Sequence, residues 1–329
     1  MNAFLLDNPT KRALFDFKSL AVYQKWLDKY VSWFLKSSFD SHCSNAVLDF
    51  LVSLETDYAA SSMWQCFSCL SKWFLVCLNI DLDENLLIKD FMKKCSKIHL
   101  PKKSPTFSKE DVGKFLAEAP EDFLVVKCAI VVGLFGLSRI SELVDLFFED
   151  VTISDESFSF LIRKSKTDQA KKGFSFVVVP PYASHIKNYY SLFSPNQRVG
   201  RFFRKIENFK PTKKVIGKNI LCTYPAKVAL FLGFPDSGSY TGHCLRRTGA
   251  TMLADTGVSK IILKQAGRWR SDTVCDGYID ESKSTKLTIA NALAGTSAIA
   301  EKIQSNSSPV SSKIVCISNN SNCSFVLNI

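Results

Sequence analysis

Apolar positions recur at helical spacing through the first hundred residues of this chain. In AVYQKWLDKYVSWFLKSS, residues Tyr23, Trp26, Tyr30, Trp33 and Phe34 fall on one stripe, the period of an amphipathic helix. AVLDFLVSLETDYAA, SSMWQCFSCLSKWFLVCL and ENLLIKDFMKKCSK predict further helices in the same way. The pattern breaks at HLPKKSPTFSKED, where Pro101 and Pro105 disfavour helix on the residues before them. Residues 1–104 therefore read as one helical domain ending in a basic linker. Ser108, with Asp111 three residues on, predicts a capped helix start.

From 105 to 295 the pattern is mixed, and a second domain is expected there. FLVVKCAIVVGLFGL (123–137) is apolar on every side, ends at Gly136 and predicts a buried helix. It is too short to cross a bilayer and contains Lys127. SRISELVDLFFEDV predicts a new helix. FSFLIRKS and GFSFVVVPP are β-rich and flank the charged KTDQAKK, which predicts a hairpin. Helices are expected around 182–208 and 223–233, then over TGHCLRRTGATMLAD, SKIILKQAG and KSTKLTIANALAG. Residues 296–329 are rich in Ser and Asn and read as a flexible tail. The fold class expected is mainly α with a small antiparallel sheet.

Composition narrows the partners. The chain carries 42 Lys and Arg against 31 Asp and Glu, a formal charge of +11, which suits a polyanion. Its N-terminal MNAFLLDNPTKRALFDF lacks the long apolar run of a secretory signal. Eleven cysteines without framework spacing read as reduced thiols of an intracellular protein. Cys66 and Cys69 have C-x-x-C spacing, with His42 and Cys43 upstream, but they share a helical core stripe with Met63, Leu70, Trp73 and Cys77. Core packing is the stronger reading there, and zinc the weaker one.

The second domain also holds groups suited to one reaction. A helix over 241–255 places His243 and Arg246 one turn apart on its surface. Leu245, Gly249, Met252 and Leu253 lie opposite, and Thr241 is the expected N-cap. Arg139 follows the glycine-ended buried run, Lys166 sits at the hairpin tip, and Trp269 precedes Tyr278 by nine residues. Two arginines can fork onto one phosphodiester and offset the charge of its five-coordinate state. Histidine and an indole N–H add directed donors, a lysine can protonate a leaving oxygen, and a tyrosine can attack phosphorus. Lys164, Lys171 and Lys172 rival Lys166, and Tyr240 rivals Tyr278.

In order and spacing these residues resemble the tyrosine recombinases, the integrase-like enzymes that include the transposases of Crypton elements. GLSRISEL matches the family's first motif through Arg139 and Glu142, and Lys166 before Thr167 matches its hairpin lysine. His243 and Arg246 match its H-x-x-R box, and Trp269 and Tyr278 match its His/Trp position and nucleophile. The match departs at AGRW, where Arg268 stands between Gly267 and Trp269 and competes for the His/Trp position.

The resemblance implies a helical core-binding, DNA-clamping domain before a catalytic domain. It implies Tyr278 as nucleophile, Lys166 as general acid, Arg139 and Arg246 as phosphate clamps, His243 as proton-transfer aid and Trp269 as donor and packing group. Glu142 would orient its neighbours. Lys102, Lys103, Lys164 and Arg247 are expected along the DNA. The implied partner is double-stranded DNA, bound by a homo-tetramer on synapsed duplexes and by a monomer off DNA. No membrane, metal, nucleotide or small-molecule cofactor is expected. The expected place is the nucleus of a eukaryote or the nucleoid of a prokaryote. The competing readings are a domesticated DNA binder that no longer cuts and a type IB topoisomerase.

Overall fold

A computed structural model of the chain describes residues 9–15, 19–98, 103–163 and 173–295. The chain divides into two compact units, residues 1–103 and 104–329. In the first, a short α1 (Pro9–Ala13) precedes α2 (Leu20–Phe34), α3 (Ser44–Ser53), α4 (Ala60–Trp73) and α5 (Leu86–Ile98), and these last four surround an aromatic core. Trp26 and Tyr30 from the α2 stripe are buried there with Phe50, Met63, Leu70 and Trp73. Cys66 and Cys69 lie on the same inner face. Burial pushes their thiols up to about 12 and about 11, so neither is poised to ligate or react. His42 packs on Phe34 and hydrogen-bonds the Tyr30 hydroxyl at 3.2 Å. Among the described residues no cluster of three His, Cys, Asp or Glu could hold a metal ion.

The second unit opens on α6 (Lys109–Glu118), whose start is the expected capping box. The Ser108 hydroxyl accepts from the Asp111 amide, and the Asp111 carboxylate accepts from the Ser108 amide at 2.8 Å. Helix α7 (Leu124–Phe135) is buried on nearly all sides because neighbours cover it all round. After it comes only a short α8 (Ile140–Val144), since SRISELVDLFFEDV does not form one helix. Leu146 and Phe148 turn into the core through a 3-10 turn, and the chain enters a strand instead.

That strand, β1 (Val151–Ser154), pairs antiparallel with β2 (Ser157–Ile162), which pairs antiparallel with β3 (Phe174–Val178). Phe158, Phe160 and Ile162 alternate inward, with Phe160 opposite Phe176 in register. The hairpin of the sequence thus gains a third strand at its edge. Next, α9 (Ala183–Ser191) ends long before residue 208. The remainder of that expected helix is a 3-10 turn (Pro195–Gln197) and β4 (Arg204–Glu207), which pairs antiparallel with β5 (Lys210–Val215). Asn208 and Phe209 both turn at positive φ, 49° and 57°, and Pro211 cannot continue a helix.

The helices α10 (Lys218–Leu221), α11 (Tyr224–Phe231), α12 (His243–Asp255), α13 (Lys260–Gly267), α14 (Asp272–Glu281) and α15 (Lys283–Leu293) complete the unit. Helices α7 and α12 cross closely at two glycines. A Cβ on Gly249 would stand 2.4 Å from the Leu134 carbonyl oxygen, and one on Gly133 would stand 2.6 Å from Leu245. This crossing fixes the height at which α12 presents its first two turns beside the α7–α8 turn. No helix among the described residues is long and apolar enough to cross a membrane.

Candidate active site

Arg139 is the N-cap of α8, and Glu142 is that helix's third residue. The Glu142 carboxylate accepts the Arg139 backbone N–H at 2.9 Å and its guanidinium at 2.8 Å. One acid therefore starts the helix and aims the arginine. Glu142 is buried, while the Arg139 side chain keeps 21% of its surface exposed. The chain reaches this point through Leu137, held at φ 41° in a left-handed conformation unusual for a residue with a Cβ. Leu137 is buried, and its carbonyl oxygen becomes an acceptor for the site.

Helix α12 begins at His243, with Gly242 rather than Thr241 at the cap position and no side-chain cap. A Cβ at 242 would stand 2.5 Å from Ile140, so the helix start presses against α8. His243 is exposed, but Arg246 is not its surface neighbour: only 4% of Arg246 is exposed. Its guanidinium donates to the Leu137 carbonyl at 2.7 Å and to the Gly267 carbonyl. Burial first, then the nearby Arg139 and Arg268, pushes Arg246 down to about 10, which leaves it a cation at neutral pH. Desolvation, then Arg246, Arg139 and Arg247, lowers the His243 pKa below its ordinary 6.5. The imidazole is thus held neutral, able to take a proton. On the opposite face Leu245 and Gly249 are buried as expected, whereas Met252 and Leu253 are only half-buried.

The third contribution comes from the α13–α14 turn. Arg268 adopts a left-handed conformation, φ 52°, and ends α13. Its guanidinium, 9% exposed, donates to Glu142 at 2.7 Å, to the Gly136 carbonyl at 2.9 Å and to the Leu137 carbonyl at 3.3 Å. It also lies 4.5 Å over the Phe174 ring at the start of β3. Arg268 therefore faces the protein interior, and Trp269 takes the position beside the tyrosine. The Trp269 ring stacks on Tyr278 at 5.0 Å and 20°, with the Arg246 guanidinium 5.2 Å over it. Gly267 is required here, because a Cβ on it would meet the indole at 2.4 Å. Ser271 caps α14, which carries the half-buried Tyr278 in a small cluster with Leu263 and Cys275.

The structure thus brings together Arg139, Glu142, Arg246, Trp269 and Tyr278, with His243 at the head of the same helix as Arg246. Lys166, Lys164 and Lys102 lie outside the described residues, as do Lys171 and Lys172. Lys103 is exposed, and Arg247 donates to the Ser104 carbonyl beside it. Tyr240 is elsewhere, stacked on Phe107 at 4.8 Å. Sequence reasoning missed Arg268 as a member of the network, having weighed it only as a rival to Trp269. Its one legible signal was a basic residue inserted after the glycine that ends α13.

A buried carboxylate held by two arginines thus lies next to a third cation, whose guanidinium sits over an indole that in turn stacks on a phenol. No protein-family model matches the chain. An integrase/recombinase XerD homolog of Selenomonas ruminantium is 25% identical over 175 residues, which is 51% of this chain and 50% of that protein. The chain thus spans about half the length of the curated relative it matches. Among solved structures, the XerH site-specific recombinase bound to palindromic difH substrate superposes with a TM-score of 0.62 at 18% identity, over 83% of this chain and 79% of that one. The Tn1549 transposon integrase in complex with a circular intermediate DNA gives 0.58 at 14%, over 82% and 91%. A lambda integrase dimer bound to a core site gives 0.53 at 13%, over 82% and 75%. The chain has the fold of these recombinases and integrases, and it is similar in sequence to the XerD homolog over about half its length.

Proposed function

We propose that the chain cuts and rejoins DNA strands through a covalent 3′-phosphotyrosine, as a recombinase or transposase of a mobile element, with Crypton-type enzymes one such kind. The observation that carries this reading is the stack of Arg246, Trp269 and Tyr278 beside the Arg139–Glu142 pair. The Tyr278 phenol oxygen attacks the scissile phosphorus, and the bond to the 5′ oxygen breaks. Lys166 gives that oxygen its proton, so the products are a phosphotyrosine and a 5′-hydroxyl. Arg139 and Arg246 offset the charge on the non-bridging oxygens. Neutral His243 takes up the phenol proton, directly or through water, since free tyrosine near pKa 10 ionises at a cost of roughly 4 kcal/mol at pH 7. Trp269 holds the phenol ring by stacking. One phosphodiester replaces another, so the exchange is close to neutral in energy and is drawn without metal or nucleotide.

Duplex DNA is the partner on this reading, gripped by residues 1–104 and by the catalytic unit, with Lys102, Lys103, Lys164 and Arg247 along the backbone. A tetramer on paired duplexes is the working assembly. The test uses nicked duplexes built from the DNA that flanks the gene. Wild type traps a covalent adduct, and Tyr278→Phe loses the adduct while keeping its DNA affinity. Binding without adduct on every substrate points to a reader that does not cut. Relaxation of supercoils by monomers without site preference points to a topoisomerase.

A further inference from the structure

Between Arg198 and Lys218 the chain carries eight lysines and arginines against one glutamate, a net +7 in a chain whose total is +11. These residues form β4, β5 and their flanks. Their cations divide by role. Arg204 points inward, donating to the carbonyls of Gln197, Val199 and Arg201 and lying over Phe148 and Phe193. Arg201 is tied to Asp145 and the Val144 carbonyl. These two fasten the ribbon to the domain. Lys214 is matched by Glu207 at 2.9 Å. Lys205, Lys210 and Lys213 are exposed and make no side-chain hydrogen bond or ion pair among the described residues.

The tip adds a second observation. Phe209 is 59% exposed and sits at φ 57°, after Asn208 at 49°. A two-residue hairpin turn of this hand favours glycine at the second position, because a Cβ there is strained. The ring joins no aromatic pair and no hydrophobic cluster among the described residues. A bulky, strained, solvent-facing aromatic contributes nothing visible to the fold, and such an outlier is a reason to look for a function.

We propose that the β4–β5 ribbon is a further duplex-DNA contact, in which Lys205, Lys210 and Lys213 bind backbone phosphates and Phe209 wedges against the bases in the minor groove. The proposal rests on the DNA reading above but not on strand cutting. Uncompensated lysines beside an exposed ring match a polymer that offers both phosphates and flat apolar faces. An acidic peptide would satisfy the charges and leave the ring without a partner.

The experiment uses the full chain and a random-sequence duplex of about 60 base pairs, with affinity followed from roughly 50 to 200 mM salt. Neutralising Lys205, Lys210 and Lys213 together to Gln lowers the salt slope by about 2.7, at about 0.9 per phosphate contact. Across that fourfold range wild type then loses roughly 40-fold more affinity than the variant. Phe209→Gly melts at a higher temperature, because it relieves the turn, yet binds DNA several-fold more weakly. A stabilised protein with worse binding cannot be explained by damage to the fold. An unchanged slope in the triple variant, or full affinity in Phe209→Gly, overturns the proposal even if wild type forms the covalent adduct. The shifted slope and weakened binding, together with no adduct on the nicked flanking duplexes, support the ribbon and instead sink the strand-cutting reading.

Discussion

Replacing Glu142 by Gln tests the logic of the site most directly. The native carboxylate, 3% exposed, receives the Arg139 guanidinium at 2.8 Å, the Arg139 amide at 2.9 Å and the Arg268 guanidinium at 2.7 Å. Arg246, also buried, is held in its charged form partly by the same acid. Glutamine keeps one acceptor oxygen but turns an amide donor toward a guanidinium, and it leaves three neighbouring cations with no counter-charge. Removing one partner of a buried ion pair costs about 3–5 kcal/mol. For a unit of this size each kcal/mol moves the melting temperature by roughly 2–4 °C, so a fall on the order of 10 °C is expected. The assay is denaturant unfolding of the full chain with Glu142→Gln, Arg268→Met and the double variant. If stranded charge is the cause, Arg268→Met recovers part of the loss, and the pair departs from additivity by more than about 1 kcal/mol. A cost for Glu142→Gln below about 1 kcal/mol, or additivity within about 0.5 kcal/mol, would refute the electrostatic account of how the arginines are held.

Two further outcomes follow from the geometry. Because His243 is depressed below 6.5, its neutral form persists in more acidic solution than a free imidazole. The rate of adduct formation should therefore hold as pH falls through 6.5 and drop only below it, and an inflection at or above 6.5 in single-turnover assays would contradict this. The same shift means the unfolded chain binds this proton first, so its contribution to stability declines as pH falls below 6.5. Gly249→Ala should cost roughly 1–3 kcal/mol in unfolding experiments. The rigid Leu134 carbonyl stands 2.4 Å from the new methyl, so α12 must move away from α7. A stability equal to wild type would mean that the crossing is looser than described.

Much of the frame was legible from local spacing. The Ser108–Asp111 cap and the β2–β3 pairing depend on neighbours in sequence or on alternation, so their residues declare them. The β4–β5 ribbon was lost because RKIENFKPTKKV carries lysines where a strand usually shows apolar residues; only its turn and Pro211 mark it. Arg246 was misplaced for another reason. Helical periodicity assigns an arginine to the solvent side, but here its acceptors are backbone carbonyls from residues 137 and 267, far away in sequence. Arg268 was undervalued because its left-handed backbone, which turns the guanidinium inward, has no signature in residue type.

The Leu137 carbonyl accepts from Arg246 and from Arg268, and the Gly136 and Gly267 carbonyls complete the same set of anchors. Peptide oxygens are present whatever side chain a position carries. Substitution can therefore rewrite the surroundings extensively without erasing what the guanidiniums grip. Such anchoring is one physical route by which chains that share fewer than one residue in five can preserve a common architecture.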